Sequence, residues 1–415
     1  MRVAVIGAGI AGLGAAYWLS SRFEVDVYER EPRLGGHAHT HTLEVGARTY
    51  HLDTGFLVYN TRTYPLFTQL LSDLGVATQW SDMTFSVRCR RCTLEYGSRS
   101  LNAWFAQRRR IIDPRHWRLL AGILRLFRHG RAFLSGPDRF ETTLGEFLAS
   151  ARLDDDVARH FILPMTGAIW SASFEDMRSF PARSILHFLD NHGLLAAAGA
   201  PRWRTIAGGS ARYVDALAAR VSGAIRTGAP VSSVVRHPGG VTLYLASGET
   251  VSYDKVVIAA HADQALTLLA DASAAEQDLL GRFRYSTNET TLHTDSSVLP
   301  ARPVAWAAWN CDVHDCHDMA TPVSVSYHLN RLQSIEAPTQ FCVSLNRRLT
   351  GDHVLARMTY AHPILDAAAV RAQADVTALN GTRHTYYCGA HLRFGFHEDG
   401  LVSARQVAVA LGALS

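Results

Sequence analysis

Near its start the chain runs Val3, Val5 and Ile6, then Gly7-Ala8-Gly9-Ile10-Ala11-Gly12, then a helical apolar pattern to about Leu19. This predicts a strand, a tight turn and a helix, with a second strand from Val25 to an acid at Glu29. Val241-Thr242-Leu243-Tyr244-Leu245 alternates and predicts a half-buried antiparallel strand, whereas the unbroken run Val256 to Ala260 predicts a buried parallel one. Gly208-Gly209-Ser210 precedes the helical positions Tyr213, Val214, Leu217 and Val221, which predicts a turn with Ser210 as N-cap. After Asp113-Pro114, a plausible helix start, Trp117, Leu120, Leu124 and Phe127 share one helical face and Arg118 and Arg125 another. A last strand is expected to end at Gly389, and a last helix to start near Gly400.

A chain of 415 residues, 47% apolar and 19% charged, suits a soluble globular protein of two domains. Its net charge of +4 calls for no nucleic acid. The segment RVAVIG already reads as a strand, so no signal peptide is expected, and no apolar run is long enough for a membrane span. The expected location is cytoplasmic. Cys89-Arg-Arg-Cys92 and Cys311…Cys316-His317 have spacings that invite zinc, but neither has the flanking glycines of a knuckle. The expectation is scattered free thiols and no metal.

Strand, glycine turn, helix, strand and acid follow in the order a dinucleotide site needs. Gly7 allows a tight turn, Gly9 allows backbone to approach a pyrophosphate, and Gly12 allows the helix to pack on the strand. The helix N-terminus at Ile10 and Ala11 offers N–H groups to phosphate, and Glu29 offers acceptors to ribose hydroxyls.

Glu29-Arg30-Glu31-Pro32-Arg33-Leu34-Gly35-Gly36-His37 resembles the extended fingerprint of glutathione-reductase-type flavoproteins, especially the flavin-containing amine oxidase superfamily, with His37 where arginine is usual. The resemblance implies an α/β fold: a Rossmann-type FAD-binding domain from 1–58, 205–285 and 375–415, interleaved with an α+β substrate domain from 59–204 and 286–374. It implies noncovalent FAD, with Arg30, Gly35, Gly36 and His37 beside it. Leu52-Asp53-Thr54-Gly55-Phe56-Leu57 resembles the superfamily's Asp-x-Gly segment, which places Gly55, Phe56 and Leu57 near the isoalloxazine. Val231 is matched to the adenine, and Ala260 to the end of a cofactor-side strand. Gly389, Glu398, Asp399, Gly400 and Leu401 are matched to the final flavin motif, whose helix end stabilises reduced flavin. Lys255, the sole lysine, does not match the flavin-proximal lysine of many amine oxidases.

Leu292-His293-Thr294-Asp295, Trp306…Trp309-Asn310, Asn330-Arg331-Leu332-Gln333 and Tyr360-Ala361-His362-Pro363 resemble a narrower group. These are FAD-binding proteins associated with cyclopropane-fatty-acyl-phospholipid synthases, including a desaturase of the furan fatty acid route. The resemblance implies dehydrogenation of a methyl-branched, phospholipid-bound acyl chain by hydride transfer to flavin N5, and a lipid methyltransferase or cyclopropane synthase as partner. An amine or carotenoid-type oxidase, or a non-catalytic flavin-binding accessory subunit, stands as the alternative.

Histidine takes a proton near neutral pH, so His397, His293 and His362 are the catalytic candidates. Phe56, Tyr59 and Phe396 are candidates to wall the substrate. Between Arg99 and Arg131 stand nine arginines against one acid, Asp113, so residues 100–134 are expected to touch an anionic membrane surface.

Overall fold

The computed structural model describes residues 1–137, 141–170, 172–196 and 201–414. A parallel sheet lies at its centre, in the order Ile225–Arg226, Glu24–Tyr28, Arg2–Ile6, Lys255–Ile258, Thr385–Tyr387. Alternation along Arg2–Ile6 feeds two cores. Val3 and Val5 pack toward the helices Ile10–Leu19 and His397–Ala410. Ala4 and Ile6 pack toward the antiparallel meander Val231–His237, Gly240–Leu245 and Thr250–Tyr253. In the meander Val241 and Leu243 point inward and Tyr244 outward, as the alternation predicts.

A second sheet runs in the order Val354–Ile364, Arg284–His293, Cys342–Leu345, Ser324–His328, Trp309–Val313, Phe85–Cys89, Leu94–Gly97. Helices from Leu101 to Asn191 cover it around a separate core that includes Leu126, Phe147, Ile162 and Ile185. Two of the boundaries drawn from sequence cut strands. Trp203–Ile206 spans the cut at 204/205 and pairs with Tyr59–Asn60 and Thr78–Trp80. Arg284–His293 spans the cut at 285/286. Each is a paired strand within a single sheet, so no linker composition marks these positions.

One local expectation changes. Ser210 does not cap its helix with its side chain; its Oγ donates to Asp53 Oδ1 at 2.7 Å. Asp53 also accepts from Thr40 Oγ1 and Gln333 Nε2, so it ties three segments together, and burial pushes its carboxyl up to about 6. The helix Pro114–Ser135 forms as expected but buries His116, Leu119, Ile123 and Leu126. The stripe read as its apolar face turns partly outward, with Trp117 and Leu124 each 48% exposed. No helix among the described residues is long and apolar enough to cross a membrane.

Candidate active site

A cavity of about 1010 Å³ runs from the glycine turn to the aromatic interior of the second layer. At one end Gly7 takes φ +102°, and a methyl there would meet Ala259 O at 2.8 Å, so only glycine turns the chain so close to the next strand. Glu29 holds this turn: its carboxylate accepts from Ala8 N–H at 2.8 Å and from Glu31 N–H at 2.9 Å. The Gly35-Gly36 loop docks on the turn through Gly35 N–H to Ala8 O at 2.8 Å. Arg33 steadies that loop by donating to Gly36 O at 2.8 Å and also lines the cavity. It was not among the expected cofactor contacts, although it opens the Arg33-Leu34-Gly35-Gly36 run that carries the resemblance.

Three observations test whether a dinucleotide fits. A methyl on Gly9 would meet only Gly36 Cα, 4.0 Å away, so the space beside Gly9 is free for a ligand. The helix Ile10–Leu19 has no side-chain cap, and its first residues Ile10 and Ala11 line the cavity, leaving N–H groups and dipole for phosphate. His37 Nε2 is shielded from solvent and has no hydrogen-bond partner. An unsatisfied buried nitrogen at a cavity wall is expected where a ligand completes the site.

The lining includes Gly7, Gly9, Ile10, Ala11, Glu29, Arg30, Gly35, Gly36, His37, Gly55, Phe56, Leu57, Val231, Ala260 and Gly389 from the expected cofactor set. Gly12 lies behind the lining, where a methyl would collide with Gly7 O and sit 3.1 Å from Ala259 Cβ; it is a packing residue. The closing motif departs from expectation. Glu398 turns away from the cavity and accepts from Leu66 N–H at 2.9 Å and Phe67 N–H at 3.0 Å, capping the helix Pro65–Asp73. Asp399 accepts from Phe396 N–H at 2.9 Å within its own turn. Gly400 allows close helix packing, since a methyl there would lie 3.0 Å from Ile10 Cγ2, and Leu401 is core. None of these four lines the cavity.

The catalytic candidates divide likewise. His293 is fully buried away from the cavity, with Nε2 at 2.8 Å from Ser344 Oγ and Nδ1 accepting from Asp295 N–H, which removes it from the chemistry. His397 lines the cavity, stacked on Phe56 at 3.6 Å between ring centres, with Nε2 at 2.9 Å from Tyr213 Oη. His362 lines it too, with Nδ1 at 2.9 Å from Asn288 Nδ2. Burial lowers His397 to about 3 and His362 to about 4, so both rings are neutral and weakly basic. They are better placed to position than to take a proton.

Of the wall candidates, Phe56 and Phe396 line the cavity and Tyr59 does not; its ring packs on Phe67 and Tyr64 in the core. Phe396 stacks on Phe188 at 4.7 Å, Phe188 stacks on His192 at 3.9 Å, and His192 faces Trp203 at 5.7 Å. Phe188 and His192, one helical turn apart, were missed because that spacing also describes ordinary core.

The family model for flavin-containing amine oxidoreductases matches residues 10–322. Among solved structures, a conjugated-linoleic-acid-producing fatty acid isomerase from P. acnes aligns with TM-score 0.69 at 16% identity, covering 99% of this chain and 98% of that one. Cyclohexylamine oxidase from Brevibacterium oxydans IH-35A aligns with TM-score 0.69 at 15% identity over 99% and 98%. A putative protoporphyrinogen oxidase from Exiguobacterium sp. 255-15 gives TM-score 0.68 at 15% identity over 99% and 98%. With FAD chemistry set by the matched family and a cavity whose glycine turn, uncapped helix and unpaired His37 fit the dinucleotide, this chain is an FAD-dependent oxidoreductase belonging to the flavin-containing amine oxidoreductase family.

Proposed function

We propose that the enzyme dehydrogenates a long apolar acyl chain, methyl-branched and carried on a membrane phospholipid. The observation that carries this reading is the lining of the cavity beyond the glycine turn. Ile169, Trp170, Phe188, Leu194, Trp203 and Phe394 wall it, and among the described lining residues the only carboxylates, Glu29 and Glu31, stand at the ribose end. No lysine lines it; Lys255 lies elsewhere with Nζ at 2.8 Å from His384 Nδ1. An ammonium group would meet no counter-charge there, whereas an alkyl chain exchanges water for apolar contact at about 25 cal/mol per Å².

Bound in this cavity, FAD supplies a two-electron acceptor for hydride from a substrate C–H bond. Gly9, Ile10, Ala11 and Gly36 would hold its phosphates, Glu29 its ribose, and Val231 the adenine end. Phe396 and Phe188 orient the acyl chain and exclude water. The adjacent carbon would give up a proton that completes the reduction of FAD to FADH2, so the acyl chain loses two hydrogens and gains one double bond.

The surface supports a lipid source. Ile112 is 87% exposed, and with Leu101, Ile111, Trp117 and Leu124 it forms an apolar fringe bordered by exposed Arg108, Arg109, Arg115 and Arg118. Apolar side chains ringed by arginine suit an anionic membrane surface. Anaerobic mixing of the yellow protein with phospholipids tests the substrate. Bleaching by methyl-branched acyl chains and not by simple primary amines is expected, and bleaching by amines alone would overturn the reading. In liposome flotation, changing Arg108, Arg109 and Arg110 to glutamate is expected to weaken binding to anionic vesicles at least about tenfold, at roughly 1 kcal/mol per basic residue.

A further inference from the structure

Three of the six cysteines come together. Cys89 ends the strand Phe85–Cys89, Cys92 sits in the turn that follows, and Cys316 follows the neighbouring strand Trp309–Val313. Ligand atoms of Cys89, Cys316 and His160 all lie within 4.8 Å of one another, and all three residues are buried. Cys92 Sγ stands 3.3 Å from Cys316 Sγ, and both thiols are free. Cys311 and His317, which the sequence spacing grouped with Cys316, go elsewhere. Cys311 Sγ faces Pro164 O at 3.7 Å, and His317 Nδ1 lies 3.2 Å from an Arg159 nitrogen.

We propose that Cys89, Cys92, Cys316 and His160 form a structural zinc site in the substrate domain, about 70 residues of sequence separating the cysteine pair from the histidine. Thiolate–zinc bonds of about 2.3 Å on a tetrahedron put sulfurs about 3.8 Å apart. Cys89, Cys316 and His160 are already gathered within 4.8 Å, and Cys92, outside that mutual group but 3.3 Å from Cys316, would turn in as the fourth ligand. His160 supplies the second, independent observation. Its Nδ1 is buried without a hydrogen-bond partner, while Nε2 faces Asp156 Oδ1 at 3.7 Å. A metal-bound imidazole characteristically turns its other ring nitrogen to a carboxylate. The ring is carried on a π-helical turn, Ala158–Ile162, held by Tyr96 Oη donating to His160 O at 2.6 Å.

Binding releases the three thiol protons to solvent, and three thiolates with one divalent ion leave a single negative charge. Arg110 donates to Cys92 O at 3.4 Å, placing positive charge beside it. Such an ion would staple the hairpin Phe85–Gly97, the loop at Cys316 and the helical segment at His160, far in sequence and adjacent in space. It takes no part in the flavin chemistry.

The test is metal analysis of the flavin-loaded protein purified under reducing conditions without chelator. About one zinc per chain is expected, and cobalt(II) added to stripped protein should give tetrahedral thiolate–cobalt absorption. Cys316→Ser and His160→Gln should each lower zinc retained after dialysis at least about tenfold with flavin content unchanged, while Cys342→Ala retains it. Should the variants fail to fold, the wild type decides. Reduced wild type that takes up neither zinc nor cobalt in stoichiometric amount overturns the proposal, as does a Cys92–Cys316 disulfide in protein isolated without reductant.

Discussion

Two glycine-bearing turns open helices against the same cavity, and they serve different ends. The first, at Gly7 to Gly12, leaves its helix uncapped and its amides toward open space. The second, at Gly395 to Gly400, is filled from within: Asp399 bonds the Phe396 amide, Glu398 reaches across to another helix, and Gly400 is pressed on Ile10. An acid in a first helical turn competes with an anionic ligand for the same N–H groups. Where such acids are absent the turn is free to bind phosphate. Where they are present, packing and capping take precedence, and the cavity contact passes to Phe396 and His397 just upstream.

The largest effect that would sharpen this contrast is expected from Gly9→Val. The side chain projects into ligand space rather than into protein, so FAD affinity should fall about a hundredfold or more, near 3 kcal/mol, with the melting temperature of flavin-free protein little changed. Titration of flavin into the stripped variant measures it, and retained affinity would break the comparison. Next comes Glu398→Ala, which leaves two amides of the helix Pro65–Asp73 without their acceptor. A stability loss of about 2 kcal/mol is expected in denaturant unfolding, with flavin affinity of the folded protein within about twofold of wild type.

Acid should separate the turns more gently. Burial lowers both His391 and His397 to about 3, so the unfolded chain takes up protons at these sites before the folded one does. Stability they contribute above about pH 6.5 is therefore lost as pH falls toward 3. Asp399, pushed up to about 6 by burial, works in the opposite sense, and the two imidazoles outweigh it. His391→Asn should reduce the drop in melting temperature between pH 6.5 and pH 4 by about 2 °C or more. An unchanged slope would show that His391 is not held neutral by the fold. Smallest is Gly400→Ala, where a methyl must displace Ile10 Cγ2 from 3.0 Å, for a loss of about 1 kcal/mol and flavin retained.

Much of the cofactor half was legible beforehand. The apolar runs around Val3, Val25 and Val256 became neighbouring parallel strands, because a buried strand needs continuous apolar sequence whatever lies beside it. The substrate half was less so. Tyr59 and Phe56 are three residues apart in one segment, yet one ring goes to the core and the other to the cavity. His293 and His362 lie on paired strands, and only the second reaches the cavity wall. Trp117 and Leu124 stand exposed on a helix whose buried face, Leu119 and Ile123, the pattern did not single out.

Local pattern was enough to set the order of elements, the phosphate turn and hence the class of cofactor, because those features arise from residues within about thirty positions of one another. Which histidines face the ligand, what Glu398 caps and how Cys316 comes to lie beside Cys92 were settled only when distant segments met. A side chain's partner across 224 positions, as for Cys92 and Cys316, is a property of packing between layers, and no periodicity along the chain encodes it.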